Sequence, residues 1–311
     1  MNWTADDIPD QSGRTVLVTG ANSGLGLETA RALVTRGALV LMACRSPERG
    51  DAAVQDVNDE AVDGGKAELV TLDLADLASV RAAAAEVRER TGDALDVLIN
   101  NAGVMATPHR TTVDGFELQL GTNHIGHAAF TWLLMPALRS RPRARVVTVS
   151  SLAHQRGGLD VTDLNFQRRR YDTWAAYGQS KIANLLFAFE LDRRARSAGL
   201  DLISVAAHPG LSDTELMANM MRARGARLLA TIADSAVGLF SQPASKGALP
   251  QLYAATAADV TGGQFYGPDG FQQMRGHPKL VRASRQASDP GTASRVWELT
   301  AELSGVTPDP A

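Results

Sequence analysis

Residues 14–33, RTVLVTGANSGLGLETARAL, constrain this chain more than any other stretch. Positions 15–19 form a short run of β-branched and apolar residues, the pattern of a strand buried on both faces. Gly20, Gly24 and Gly26 follow, and then Leu27, Ala30 and Leu33 recur at helical spacing. The order is strand, glycine-rich turn, helix. In that geometry Gly20 permits the tight turn and Gly24 lets the backbone approach a pyrophosphate. Gly26 lets helix and strand pack closely, and the helix N-terminus faces the phosphates. The spacing is G-x-x-x-G-x-G, narrower than the more widespread G-x-G-x-x-G.

The same alternation continues along the chain. Strands are expected at 38–43, 68–72, 96–99, 145–149, 202–207 and, short, at 264–266. Helices are expected at 47–57, 77–90, 113–139, 174–198 and 292–303, the last behind an Asp289-Pro290 cap. Strands and helices in alternation imply an α/β fold of Rossmann type: a doubly wound, mostly seven-stranded parallel sheet with helices on both faces. Residues 1–13 read as an arm and 14–305 as a single dinucleotide-binding catalytic domain, with 306–311 as a tail. In such sheets the ligand crevice lies beyond the carboxyl ends of the strands. Gly20 to Gly26, Arg45, Asp73, Asn101, Ser151 and His208 to Gly210 all stand at those ends.

Composition narrows the function classes. A balance of 31 basic against 34 acidic residues, net −3, builds no field that favours nucleic acid. The arginines of 139–145 and 168–170 are short runs in expected connectors and read as solvated surface. A single cysteine, Cys44, excludes an internal disulfide and a multi-cysteine metal site. His124, His127, His154 and His208 lack the carboxylate or cysteine spacing of a zinc site, so no metal is expected. The N-terminus lacks a basic-then-apolar leader, and no window reaches the ~18 apolar residues of a membrane span. A soluble, cytoplasmic protein is the expectation.

Tyr177 and Lys181 lie one turn apart in AYGQSKIANLLF, on a different face from Ile182, Leu185, Leu186 and Phe189. A lysine ammonium ~4 Å from a phenol, at an effective dielectric of ~20, is worth ~4 kcal/mol, or about three pKa units. That would bring a phenol from ~10 to ~7, where a general acid or base works best.

With these residues in order, the chain resembles the short-chain dehydrogenase/reductase family over residues 14–267. Its TGANSGLG, VTVSSLAH and AYGQSKIANLLFAFEL are most similar to the retinol dehydrogenase and WW-domain oxidoreductase group. The resemblance implies a hydride transfer at a nicotinamide, with Asn123, Ser151, Tyr177 and Lys181 as the catalytic set. Tyr177 would exchange the proton, Ser151 would hydrogen-bond the substrate oxygen, and Lys181 would hold the nicotinamide ribose. Asn123 would position a water that links Lys181 to solvent. Ser151 is preferred over Ser150 on family position alone.

The cofactor would lie against Gly20, Asn22, Ser23, Gly24, Leu25, Gly26, Asp73, Leu74, Asn101, Ala102, Gly103, Tyr177, Lys181, Pro209, Gly210 and Thr214. Arg45 stands where NAD-dependent relatives need an acid, and an arginine suits a 2′-phosphate, so NADP is expected, with NAD as the alternative. A substrate lid is expected at 211–243, where Met217, Met220, Met221 and Phe240 suggest an apolar alcohol or carbonyl substrate. Plain helix core is the other reading of that stretch. The two long helices suggest a homodimer. A dinucleotide-binding sensor or scaffold of the same fold is the competing functional class.

Overall fold

A computed structural model of the chain describes residues 2–62, 64–211 and 242–310. The expected lid at 211–243 lies outside the described residues except at 211, 242 and 243, and Thr214 lies outside them as well.

Seven parallel strands alternate with helices: β1 (Thr15–Thr19), α1 (Gly24–Val34), β2 (Leu39–Cys44), α2 (Pro47–Asp59), β3 (Lys66–Thr71), α3 (Leu77–Thr91), β4 (Val97–Asn100). A helical run follows as α4 (Leu118–Leu120), a π turn (Gly121–Ile125) and α5 (Gly126–Arg139). Then come β5 (Ala144–Val149), α6 (Thr173–Ser197), β6 (Leu202–Ala207), α7 (Ala244–Gly247), α8 (Leu249–Thr256) and β7 (Phe265–Pro268). The chain closes with β8 (Pro278–Leu280) and α9 (Pro290–Ser304). The sheet order is β3-β2-β1-β4-β5-β6-β7-β8. The order reverses on either side of β1 and β4, so the ends of those two strands flank the crevice.

The doubly wound expectation is met, with one addition. β8 pairs antiparallel to β7 and makes the sheet eight-stranded. Its three residues are too few to show alternation, and Lys279 and Leu280 are exposed at the sheet edge. The strands are apolar on both faces because both faces are covered. Val16 and Val18 join Leu33, Val57 and Leu252 on one side, while Leu17 joins Val80, Leu134 and Phe187 on the other.

Two expectations need correction. The helix foreseen from Val113 begins only at Leu118. Gly115, at φ +84°, breaks the chain, and Val113 sits 80% exposed in a turn closed by a Thr111–Glu117 bridge. The Glu117 carboxylate then caps the helix by accepting from the N–H of Gln119 and of Leu120. Second, Arg145 is not solvated surface. It is 6% exposed, and its guanidinium donates to the carbonyls of Ala254 and Ala257 at the end of α8. The helices α5 and α6, from which a homodimer was expected, are largely buried within the chain. The covering element is α9: Trp297 stacks on Phe187 at 5.4 Å and meets Trp132 edge-on at 4.9 Å.

Candidate active site

The glycine turn is built as its spacing demands. The N–H of Gly20 donates to Ala43 O at 2.8 Å and carries the β1–β2 ladder into the turn. Gly20 then adopts φ +65°, and a Cβ there would lie 2.9 Å from Ala102. At Gly26 a Cβ would stand 2.3 Å from Gly20 O and 2.6 Å from Asn101 Nδ2. The first turn of α1 therefore lies directly against the ends of β1 and β4, with the helix N-terminus open to the crevice.

A cleft of about 350 Å³ opens over these strand ends, within the usual range for a ligand site. Its wall includes Gly20, Asn22, Ser23, Gly24, Leu25 and Gly26 from the turn, Arg45 from the end of β2, and Asp73 and Leu74 after β3. Asn101, Ala102 and Gly103 after β4, Ser151 after β5, Tyr177 and Lys181 on α6, and Pro209 and Gly210 after β6 complete it. Apart from Thr214, which is not described, only Asn123 among the expected residues does not line it. Its amide is spent behind the wall: Oδ1 accepts from Val104 N at 2.8 Å, and Nδ2 donates to Val104 O and Ser180 Oγ. The Asn123 side chain thus clamps the loop after β4.

The two serines are now distinguishable. Ser150 is 2% exposed, and its hydroxyl donates to Lys181 O at 2.9 Å. Ser151 Oγ accepts from Ala153 N at 3.2 Å, which leaves its proton free to turn, and it shares the cleft wall with Tyr177. The phenol is nearly buried, and burial pushes its pKa above the ordinary value, with the nearby Ser151 opposing in part.

The expected phenol near ~7 is therefore not what the chain by itself builds. Lys181 Nζ lies 5.8 Å from the Tyr177 ring centre and donates to Val149 O at 3.1 Å instead. Burial lowers the Lys181 pKa to about 8. Among the described residues Val149 O is the single acceptor for its three donors. A buried ammonium with donors to spare, at a cavity wall, suits the hydroxyls of a ribose.

Arg45 is exposed at the cleft and has no carboxylate partner among the described residues; the nearby Glu48 carboxylate accepts from Ser46 Oγ. Asp73 uses Oδ1 on its own turn, accepting from Ala75 N. Val104, Met105, Thr122 and Leu211 also line the cleft and were not foreseen. Thr122 could have been found, since it neighbours Asn123; the apolar three carry no motif. No cluster of three metal-ligating side chains occurs among the described residues. No described helix is long and apolar enough to cross a membrane.

Comparison with known proteins agrees with this arrangement. The family profile described as short chain dehydrogenase matches residues 14–225. Human retinol dehydrogenase 13 is 41% identical over 297 residues, covering 94% of this chain and 85% of that protein. A crystal structure of an uncharacterized protein from Mycobacterium Paratuberculosis matches with a TM-score of 0.81 and 45% identity, covering 98% of each chain. The Pseudomonas aeruginosa RhlG/NADP active-site complex, at 24% identity and a TM-score of 0.63 over 82% of this chain and 94% of that one, shares the fold. A dinucleotide turn, a strand-end cleft and this breadth of similarity converge, and the chain belongs to the short-chain dehydrogenase/reductase family, as an oxidoreductase that uses a nicotinamide dinucleotide.

Proposed function

We propose that the enzyme transfers a hydride between NADP and an apolar alcohol or carbonyl compound, with Tyr177 as general acid and base. The observation that carries this reading is that Tyr177, Ser151 and Lys181 share the cleft wall that also holds the glycine turn. The nicotinamide, when bound, supplies or accepts the hydride. Tyr177 gives its proton to the carbonyl oxygen, or takes one from the alcohol. Ser151 donates a hydrogen bond to that oxygen as charge develops on it. Lys181 directs its remaining donors at the ribose hydroxyls, and Gly20 and Gly26 keep the first turn of α1 close enough for its N–H groups to meet the pyrophosphate.

Two features support the finer assignments. Arg45, free of any described carboxylate, suits the 2′-phosphate through bidentate, charge-assisted bonds. Val104, Met105 and Leu211 give the substrate end of the cleft apolar walls, and retinol, named in the human relative, is an apolar alcohol. Following NADPH oxidation with a panel of apolar aldehydes and ketones tests the activity. Tight NADPH binding with no turnover of any carbonyl would favour the sensor reading.

Arg45→Ala is expected to weaken NADPH binding by about 10–100-fold, the worth of hydrogen bonds to a charged group, with NADH affinity nearly unchanged. Titration of both cofactors by fluorescence reads the difference. Stronger binding of NADH than NADPH, unmoved by the substitution, would remove the NADP assignment.

A further inference from the structure

Thr19 and His127 take no part in the scheme above, yet they are buried directly beneath it, at 0% and 2% exposure. Thr19 Oγ1 accepts from the backbone N–H of Asn101 and of Ala102, each at 2.9 Å. Both of its lone pairs are then used, and its proton has to find an acceptor. Two lie in reach: His127 Nε2 at 2.8 Å and Ile99 O at 3.4 Å. Only the first is within the normal range for an O–H donor. His127 Nε2 is therefore the acceptor, and a neutral imidazole that accepts at Nε2 carries its proton on Nδ1. Nδ1–H in turn meets the carbonyl of Asn123 at 3.0 Å.

That carbonyl belongs to the π turn, Gly121–Ile125, where Gly126 N–H reaches back to Gly121 O and the ordinary ladder is interrupted. The side chain of the same asparagine grips Val104 through both its N–H and its carbonyl. Segment 101–104 is thus held at one end by Thr19 and at the other by Asn123. Gly103 lies between them, where a Cβ would come to 3.2 Å from Asn123 Oδ1 and 3.5 Å from Lys181 Nζ. His127 is the part that joins the two grips.

We infer that His127 is a positioning residue, which locks the 101–104 wall of the cleft to the π turn through an Asn123–His127–Thr19 hydrogen-bond chain and so fixes the seat of the cofactor. The inference rests on the reading of that wall as the dinucleotide seat. Its tautomer is set by its partners and not by solvent. Burial, with the Lys181 and His124 groups nearby, pushes its pKa down to about 3, so the ring stays neutral where free imidazole would titrate.

The test has one arm that needs no ligand. In wild-type protein, ¹⁵N NMR of His127, assigned by the signal lost in His127→Gln, is expected to show the Nδ1–H tautomer, unchanged through the neutral range. An Nε2–H tautomer, or titration like a free imidazole, overturns the chain of bonds.

The second arm reads the seat. His127→Phe keeps a ring but removes donor and acceptor, and it is expected to raise the NADPH Kd by about tenfold or more, the equivalent of one buried hydrogen bond. Adding Thr19→Val to it should cost less than the same change costs in the wild-type protein, because the Thr19–His127 bond is already gone and only the acceptor for the Asn101 and Ala102 N–H groups remains to be lost. His127→Gln, which can return an acceptor to Thr19, should recover part of the affinity. NADPH affinity within about twofold of wild type in a folded His127→Phe protein, or additive effects of the two substitutions, overturns the inference. If His127→Phe fails to fold, His127→Gln and the tautomer decide. Wild-type protein is titrated first: failure to bind NADPH there removes the cofactor reading, while the tautomer and the Thr19–His127 coupling in urea unfolding still judge the chain of bonds.

Discussion

Tyr177→Phe is expected to lower kcat for NADPH-dependent carbonyl reduction by about 10²–10⁴-fold, the usual worth of a positioned general acid. The loss falls on kcat because the phenol proton is transferred only in the transition state. The ring itself is retained, and with it the packing against Trp174, whose centroid lies 6.3 Å away. NADPH affinity should therefore stay within about threefold of wild type. Single-turnover assays beside a cofactor titration separate the two quantities. A variant that reduces carbonyls at a rate within about tenfold of wild type would end the general-acid assignment.

The pH profile tests the same site from another side. Burial holds the Tyr177 proton on, so carbonyl reduction requires no ionisation of the phenol in the neutral range. Lys181 has a pKa lowered to about 8, and its charged form is the one with three donors for a ribose. Its contribution is present below pH of about 8 and is lost as the pH rises through that value. The kcat/KM profile of the free enzyme should fall on that limb, and Lys181→Met should abolish the limb together with most of the cofactor affinity. A profile governed by a group near the ordinary lysine value would contradict the burial argument.

Trp297→Ala is expected to reduce the free energy of unfolding by about 3–5 kcal/mol, the range for truncating a large buried aromatic. Trp297 is 2% exposed and is the largest fully buried side chain among the described residues. It stacks on Phe187 of α6, meets Trp132 of α5 edge-on, and receives the Arg194 guanidinium at 5.0 Å from its ring centre. One turn later, Thr300 Oγ1 contacts His124 Nε2 at 2.8 Å and fastens α9 to the π turn. Removing the indole empties the junction of three helices and leaves little that can collapse into it. Urea denaturation reads the change; a loss under about 1 kcal/mol would mean that α9 is an accessory and not part of the core.

Much of the cleft was legible because its residues are constrained by backbone geometry. Gly20 and Gly26 are demanded by a positive φ and by sub-3 Å approaches, and such demands leave a mark in one sequence. Asn101, Ala102 and Gly103 are marked by following a strand, as are Ser151 and the 208–210 turn. What escaped detection has no periodic or steric signature. Val104, Met105 and Leu211 are ordinary apolar residues until the sheet sets their backbone over the cleft. Arg145 lies in a run that looks solvated, and only the carbonyls at the end of α8 make its burial tolerable.

The amino-acid sequence by itself determined the α/β alternation, the glycine turn, the strand-end location of the cleft and the pairing of Tyr177 with Lys181 on one helix. Each of these follows from local spacing. Only the tertiary structure decided where the protons and charges go. It bonded Lys181 to Val149 O with its Nζ 5.8 Å from the Tyr177 ring centre, committed Ser150 to a carbonyl while leaving the Ser151 proton free, and spent the Asn123 amide behind the wall. It also covered α5 and α6 with α9. The physical reason is that burial and hydrogen-bond partners depend on what lies across the core, and in this chain those partners come from positions up to 274 residues apart.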